Sequence, residues 1–209
     1  MRMEDLLDLY EQPYDPEQPV ICFDERPCQL VGDRVTPLPM QPGQSRKEDT
    51  QYERHGVCCL LIAVEPLAGR RLAQVRPRRT KEDYAEFMQA LAAQYPDATR
   101  LRLVQDNLNT HTAGSFYQAF DAATARQLTQ RFEFHATPTH ASWLNMAEIE
   151  LSAIARQCLD RRIPSQEVLE REVLACVKER NELRVPITWR FTTADARTTL
   201  KRHYVSIKN

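Results

Sequence analysis

The sequence predicts an α/β protein: a mixed five-stranded sheet flanked by helices. Three observations carry that expectation. Two short apolar runs, at Val20 to Phe23 and Leu101 to Gln105, each lead into a carboxylate. Two apolar arms, Gly56 to Val64 and Arg71 to Val75, are joined by Pro66-Leu67-Ala68-Gly69, which is hairpin turn chemistry. Segments of helical periodicity then alternate with further strands, an order that places helices on the faces of a partly parallel sheet.

The elements follow in chain order. The stretch to about Pro19 is acidic and Pro-bearing and reads as an irregular arm with one helical turn. After the first strand, the chain from Cys28 begins extended and becomes a loop rich in Pro, Gly and charge. Thr80 is a candidate N-cap, and Tyr84, Phe87, Met88 and Leu91 recur at helical spacing until Pro96. Residues 112–120 and 122–130 read as one or two helices, and Phe132 to Thr137 as the last strand. Two more helices follow, with Ser142 and Ser165 as expected caps, before an extended piece and a short helix. The ribonuclease-H-like fold has this order of elements.

Composition narrows the function classes. Of 209 residues, 42% are hydrophobic, enough for a sizeable core, and the formal net charge is −1. No apolar run approaches the roughly 20 residues that span a bilayer, and the N-terminus has no apolar signal core, so a cytoplasmic, nucleoid-associated protein with no membrane role is expected. The six cysteines form no CxxC pair and read as buried, reduced thiols. Basic clusters at Arg70 to Lys81, Arg156 to Arg162 and Lys201 to His203 suit phosphates, although such runs are often only solvated surface.

The acids carry the chemistry. Strand alternation puts Val20, Cys22 and Asp24 on one face, and Arg102, Val104 and Asp106 on another. If the two strands are neighbours, both aspartates converge at one sheet edge, where open α/β sheets place their sites. On the helix opened by Trp143, steps of about 100° align Leu144, Leu151, Ala155, Cys158 and Leu159. They set Glu148 on the flank of that row and turn Glu150 away. Three carboxylates around a dry pocket repel, and Mg²⁺ or Mn²⁺ relieves the repulsion. Two such ions, about 3.5–4 Å apart, serve phosphoryl transfer. Singly, each aspartate reads as a cap or turn residue and Glu148 as half of a surface pair.

At these residues the sequence resembles the catalytic domain of the mariner-like transposase superfamily, in its bacterial insertion-sequence branch. The resemblance rests on FDE at 23–25, VQDNLNTH at 104–111, TPTHASWLNMAEIELS at 137–152 and the segment from Trp189. It implies a DDE catalytic domain over 19–185, after an arm at 1–18 and before a tail at 186–209. It assigns the acids to Asp24, Asp106 and Glu148, the last three residues after the Leu144-Asn145 pair. It implies metal-dependent cleavage at transposon ends, strand transfer into target DNA, and work as a homodimer on DNA. Family members carry helix-turn-helix domains before the first Asp; here some 20 residues precede it, so a separate or upstream helix-turn-helix segment is expected. The alternatives are a ribonuclease-H-like nuclease without strand transfer and an inactive remnant acting as a DNA-binding or dimerisation module.

Further candidates for nucleic-acid contact are Asn107, His111, His140, Arg78 and Arg79. For His111 and His140 a structural role is the competing reading, and for Arg78 and Arg79 solvated surface. His135 reads as a core residue of its strand. Trp143 and Trp189 read most simply as core or cap residues, with stacking on a base as the alternative.

Overall fold

A computed structural model describes residues 2–38, 42–43 and 49–201. The central sheet has the order β3-β2-β1-β4-β5. β1 (Val20–Asp33), β2 (Tyr52–Glu65) and β3 (Arg70–Arg76) form an antiparallel meander. β4 (Leu101–Gln105) and β5 (Phe132–Ala136) add in parallel beside β1. The expected mixed five-stranded sheet is therefore present.

Alternation along β1 divides the interior in two. Ile21 and Phe23 pack with Leu61, Leu103 and the apolar side of α2 (Lys81–Ala93), α3 (Ala113–Ala119) and α4 (Ala122–Arg131). Cys22, Leu60, Ile62 and Val104 point the other way. They pack under α1 (Arg2–Glu11), α5 (Ala147–Cys158), α6 (Gln166–Glu182) and α7 (Thr193–Thr199). Thr80 closes a reciprocal capping box with Asp83 at the start of α2, as its position predicts. Ser165 caps α6 by accepting from the Val168 amide.

Four local expectations give way. The first stretch is a ten-residue helix, α1. Its Leu6, Leu7 and Leu9 are buried in the core, and this apolar spacing outweighs the acidic composition. β1 does not stop at Asp24; its pairing with β2 continues to Asp33, with a bulge at Leu30/Val31. No continuous helix opens at Ser142: a 3-10 turn, Ser142–Leu144, precedes α5, and Met146 is the N-cap. That interruption rotates α5 relative to an uninterrupted helix.

The rotation overturns the expected orientation of Glu150. The buried face of α5 is Ala147, Glu150, Leu151 and Ile154, whereas Glu148 is exposed. Glu150 is fully buried and accepts from Arg71 Nη2 at 3.0 Å, Arg180 Nε at 2.6 Å and Arg180 Nη2 at 3.0 Å. The hydrogen bonds and charges of the two guanidiniums outweigh burial and hold the carboxyl below its usual range. A charged residue is stable on the inward face because β3 and α6 supply its counterions. Removing one member strands the others, so Glu150→Gln is expected to cost about 3–5 kcal/mol in urea unfolding. Glu148→Gln on the exposed face is expected to change stability by less than about 0.5 kcal/mol.

Candidate active site

The parallel ladder between β1 and β4 ends where Cys22 faces Val104. Asp24 and Asp106 each lie two residues further on, so both continue the face of the sheet that packs under α5. Past this point β1 pairs only with β2 and β4 has ended, so no ladder joins the chain at the two acids.

Asp24 is half-buried. Its Oδ1 accepts from the Glu25 amide at 2.8 Å, and Oδ2 has only a long 3.5 Å contact from Asn145 Nδ2. Burial lifts its carboxyl to about 7, opposed by the Glu25 amide and reinforced by the charges of Glu148, Asp106 and Glu25. Asp106 has the opposite character. Its Oδ1 accepts from the Leu108 amide at 3.2 Å and from His111 Nδ1 at 2.6 Å. The His111 bond holds it below the usual carboxylate range despite burial.

His111 is a clamp. Its Nε2 lies 2.7 Å from Glu25 Oε2, so one ring joins a β1 carboxylate to the acid that follows β4. The ring stacks on Tyr84 at 4.9 Å and meets Phe23 edge-on at 5.2 Å. Burial pulls its pKa down, but the bonds to Asp106 and Glu25 and their charges carry it up to about 9. Gln105 fixes the loop that holds it, accepting from Tyr84 Oη at 2.8 Å and donating to the His111 carbonyl at 2.9 Å.

Asn145 brings the helix to the strands. It is 1% exposed, and its Nδ2 donates to the Phe23 carbonyl at 2.8 Å. Its Oδ1 accepts from the Ala147 amide at 3.1 Å, doing at the start of α5 what Ser142 was expected to do. Glu148, in the first turn of α5, is exposed, near enough for its charge to raise the Asp24 pKa. Its carboxylate makes no hydrogen bond or ion pair among the described residues.

The remaining candidates divide. Arg78 and Arg79 are exposed on the loop before α2, and Arg79 Nη1 lies 3.4 Å from Glu25 Oε1, so this loop borders the acids. His140 is exposed in a left-handed conformation, φ 62°. Asn107 is exposed but ties its Nδ2 to the Thr137 carbonyl at 2.9 Å. His111 is buried with both ring nitrogens engaged, which fits the structural role that competed with a nucleic-acid contact. His135 is half-buried beside Glu133. Sequence reasoning missed Glu25, Gln105 and Asn145, although each adjoins a selected acid or motif residue.

Residues 19–170 match the DDE superfamily endonucleases. The chain belongs to that family. In three dimensions it is similar to the Mos1 mariner paired end complex with Mn, at 18% identity and a TM-score of 0.52, over 88% of this chain and 59% of that one. It is also similar to the Mos1 Strand Transfer Complex, at 17% identity and a TM-score of 0.54, over 88% of this chain and 58% of that one. At these identities the likeness establishes the ribonuclease-H-like fold alone. The chain spans under three fifths of the length of the Mos1 chains it matches. No curated protein matches it.

Among the described residues, no three His, Cys, Asp or Glu side chains are gathered tightly enough to hold one ion as they stand. The donor set nevertheless suits a hard divalent cation: all its atoms are carboxylate oxygens. Among the described residues, no hydrogen bond reaches Asp106 Oδ2 or the Glu148 carboxylate, and Asp24 Oδ2 has only its long contact. The burial of Asp24, reinforced by its acidic neighbours, sets a pH dependence. The folded chain holds that proton more tightly than the value of 3.8 for a free Asp. The resulting stability is present below 3.8 and lost as pH rises through about 7. Asp24→Asn is therefore expected to melt about 2–6 °C above the unmutated chain at pH 8 without metal. The gap should close toward pH 4, as thermal melts across the range will read.

Proposed function

We propose that this chain is the catalytic domain of a DNA transposase of the mariner-like superfamily, in its bacterial insertion-sequence branch. In this reading it cleaves transposon ends and joins them to target DNA. Asp24, Asp106 and Glu148 are the catalytic carboxylates and the metal ligands. The observation that carries the reading is the junction at Asn145, whose side chain bonds β1 beside Asp24 and the start of α5 three residues before Glu148. Family membership and the fold shared with the Mos1 complexes support it.

Each residue has a task that follows from its surroundings. Asp24, Asp106 and Glu148 would hold the metal through the carboxylate oxygens that the protein leaves without a strong hydrogen bond. Mg²⁺ or Mn²⁺ held there, two ions in the full site, would supply an activated water or 3′-hydroxyl and neutralise charge on the phosphate and leaving oxygen. His111 keeps Asp106 ionised and occupies Oδ1, which leaves Oδ2 for a cation. Arg78 and Arg79 on the bordering loop suit the phosphates of a bound strand. No covalent protein nucleophile is required.

The partners are then DNA, as transposon ends and as target, and a second copy of the chain on paired ends. Recognition of specific ends falls to a separate or upstream helix-turn-helix segment, and the work is done at the nucleoid. A nuclease that hydrolyses without joining, or a remnant that only binds DNA or dimerises, is separated from this reading by assay.

Mn²⁺ at about a hundred times its Kd is expected to add about 2.7 kcal/mol of stability. Thermal melts should show that gain in the unmutated chain and lose most of it in Asp24→Asn and Glu148→Gln. With pre-cut donor ends and Mn²⁺ or Mg²⁺, the unmutated chain should give joined products, and each of the two variants should lower the rate on the order of a hundredfold or more. Hydrolysis without joined product would favour the nuclease. Indifference to Mn²⁺ in the unmutated chain would favour the remnant.

A further inference from the structure

Two residues before Asn145 stands an aromatic group that the chemistry above does not use. Trp143 lies on the 3-10 turn that delivers Asn145, and it is 45% exposed, unlike the core or cap residue its sequence suggests. Its ring is backed rather than loose. It stacks on Trp189 at 6.2 Å and 20°, and Phe191 meets it edge-on at 5.7 Å and 77°. Trp189 is itself pinned: its Nε1 donates to the Phe191 carbonyl at 2.7 Å, and Tyr10 of α1 packs against it at 5.4 Å. Tyr10 also donates to the Leu144 carbonyl at 2.8 Å, next to Trp143. The indole is therefore held in place before any ligand arrives.

The surroundings decide what it meets. Thr139, His140 and Ser142 are exposed polar neighbours in the chain, so this is a single aromatic plane in a polar setting and not the broad apolar patch of a protein-docking face. Arg190 lies between Trp189 and Phe191 in the chain, is exposed, and makes no ion pair among the described residues. An aromatic plane backed by a segment that carries a free cation is the chemistry that takes a nucleotide, base on ring and phosphate on guanidinium. Two residues on, Asn145 bonds the strand that carries Asp24.

We infer that Trp143 is a stacking platform for one unpaired base of the DNA strand held at the carboxylate edge, with Arg190 on a phosphate of that strand. This rests on the DNA reading of the site and adds a position where the strand must leave the duplex. The free face of the indole takes the base, and Trp189 behind it keeps the indole from turning away. Stacking of this kind tolerates any base, so the platform fixes geometry rather than sequence.

The test uses the full chain with Ca²⁺ in place of Mg²⁺. The probe is a DNA duplex with a short 3′ single-stranded extension, 2-aminopurine being moved through it position by position. Binding is read by anisotropy and stacking by quenching of the 2-aminopurine. One position should be quenched in the unmutated chain and in Trp143→Phe, and not in Trp143→Ala, whose affinity should fall on the order of tenfold. An abasic nucleotide at that position should weaken the unmutated chain by a similar factor and leave Trp143→Ala unaffected. This arm does not depend on how well the alanine variant packs. Firm binding with no abasic position costing affinity, or with equal quenching in Trp143→Ala, overturns the platform and spares the DNA reading. Failure of the unmutated chain to bind the probe overturns both.

Discussion

One buried amide organises the candidate site. Asn145 donates to the Phe23 carbonyl, contacts Asp24, and accepts from the first free amide of α5. These bonds satisfy groups that a strand and a helix start would otherwise leave unpaired in the interior, where an orphaned polar group costs about 1–3 kcal/mol. They also fix where α5 begins relative to β1 at Phe23. Glu148 is in the first turn of that helix, so its place beside Asp24 is inherited from Asn145. Tyr10 of α1 holds the same turn from outside by its bond to the Leu144 carbonyl, which ties the N-terminal helix to the site.

Around this junction the molecule keeps three sets of charges in different states. Glu150 is neutralised by Arg71 and Arg180 and locks the rotation of α5 against β3 and α6. Asp106 and Glu25 share His111, whose positive charge they stabilise. Asp24 and Glu148 have no such counterion among the described residues, and burial together with the neighbouring negative charges raises the Asp24 pKa. Two sets are closed by the protein and fix position. The third is left open, and it is there that the proposed cation would supply the missing charge.

The sequence disclosed the sheet well because its signals were local: alternation on β1 and β4, a hairpin turn at Pro66 to Gly69, and a capping box at Thr80. It also disclosed an acid on β1 and another just past β4, though β1 runs on beyond Asp24 instead of ending there. What it hid depended on partners remote in the chain. Glu150 looked solvent-facing because its counterions, Arg71 and Arg180, lie 79 and 30 residues away. The break at Asn145 to Met146 was invisible to a periodicity argument that ran the helix from Ser142 through one unbroken set of 100° steps. His111 looked like a possible phosphate contact until Glu25, 86 residues away, took its second nitrogen. The role of α1 was masked by composition, since acidic residues on its outer face outnumber the leucines that pack inward.

The central claim is spatial: β1, the end of β4 and the first turn of α5 offer carboxylate oxygens to shared divalent ions. Crystals of the full chain soaked in Mn²⁺ and measured at the manganese absorption edge test it directly. The account predicts anomalous density between Asp24 and Asp106, with Glu148 turned in from its exposed position and oxygens at about 2.0–2.3 Å from the metal. Manganese bound by other carboxylates, or bound at Asp24 with Glu148 still directed into solvent and out of reach, would contradict it.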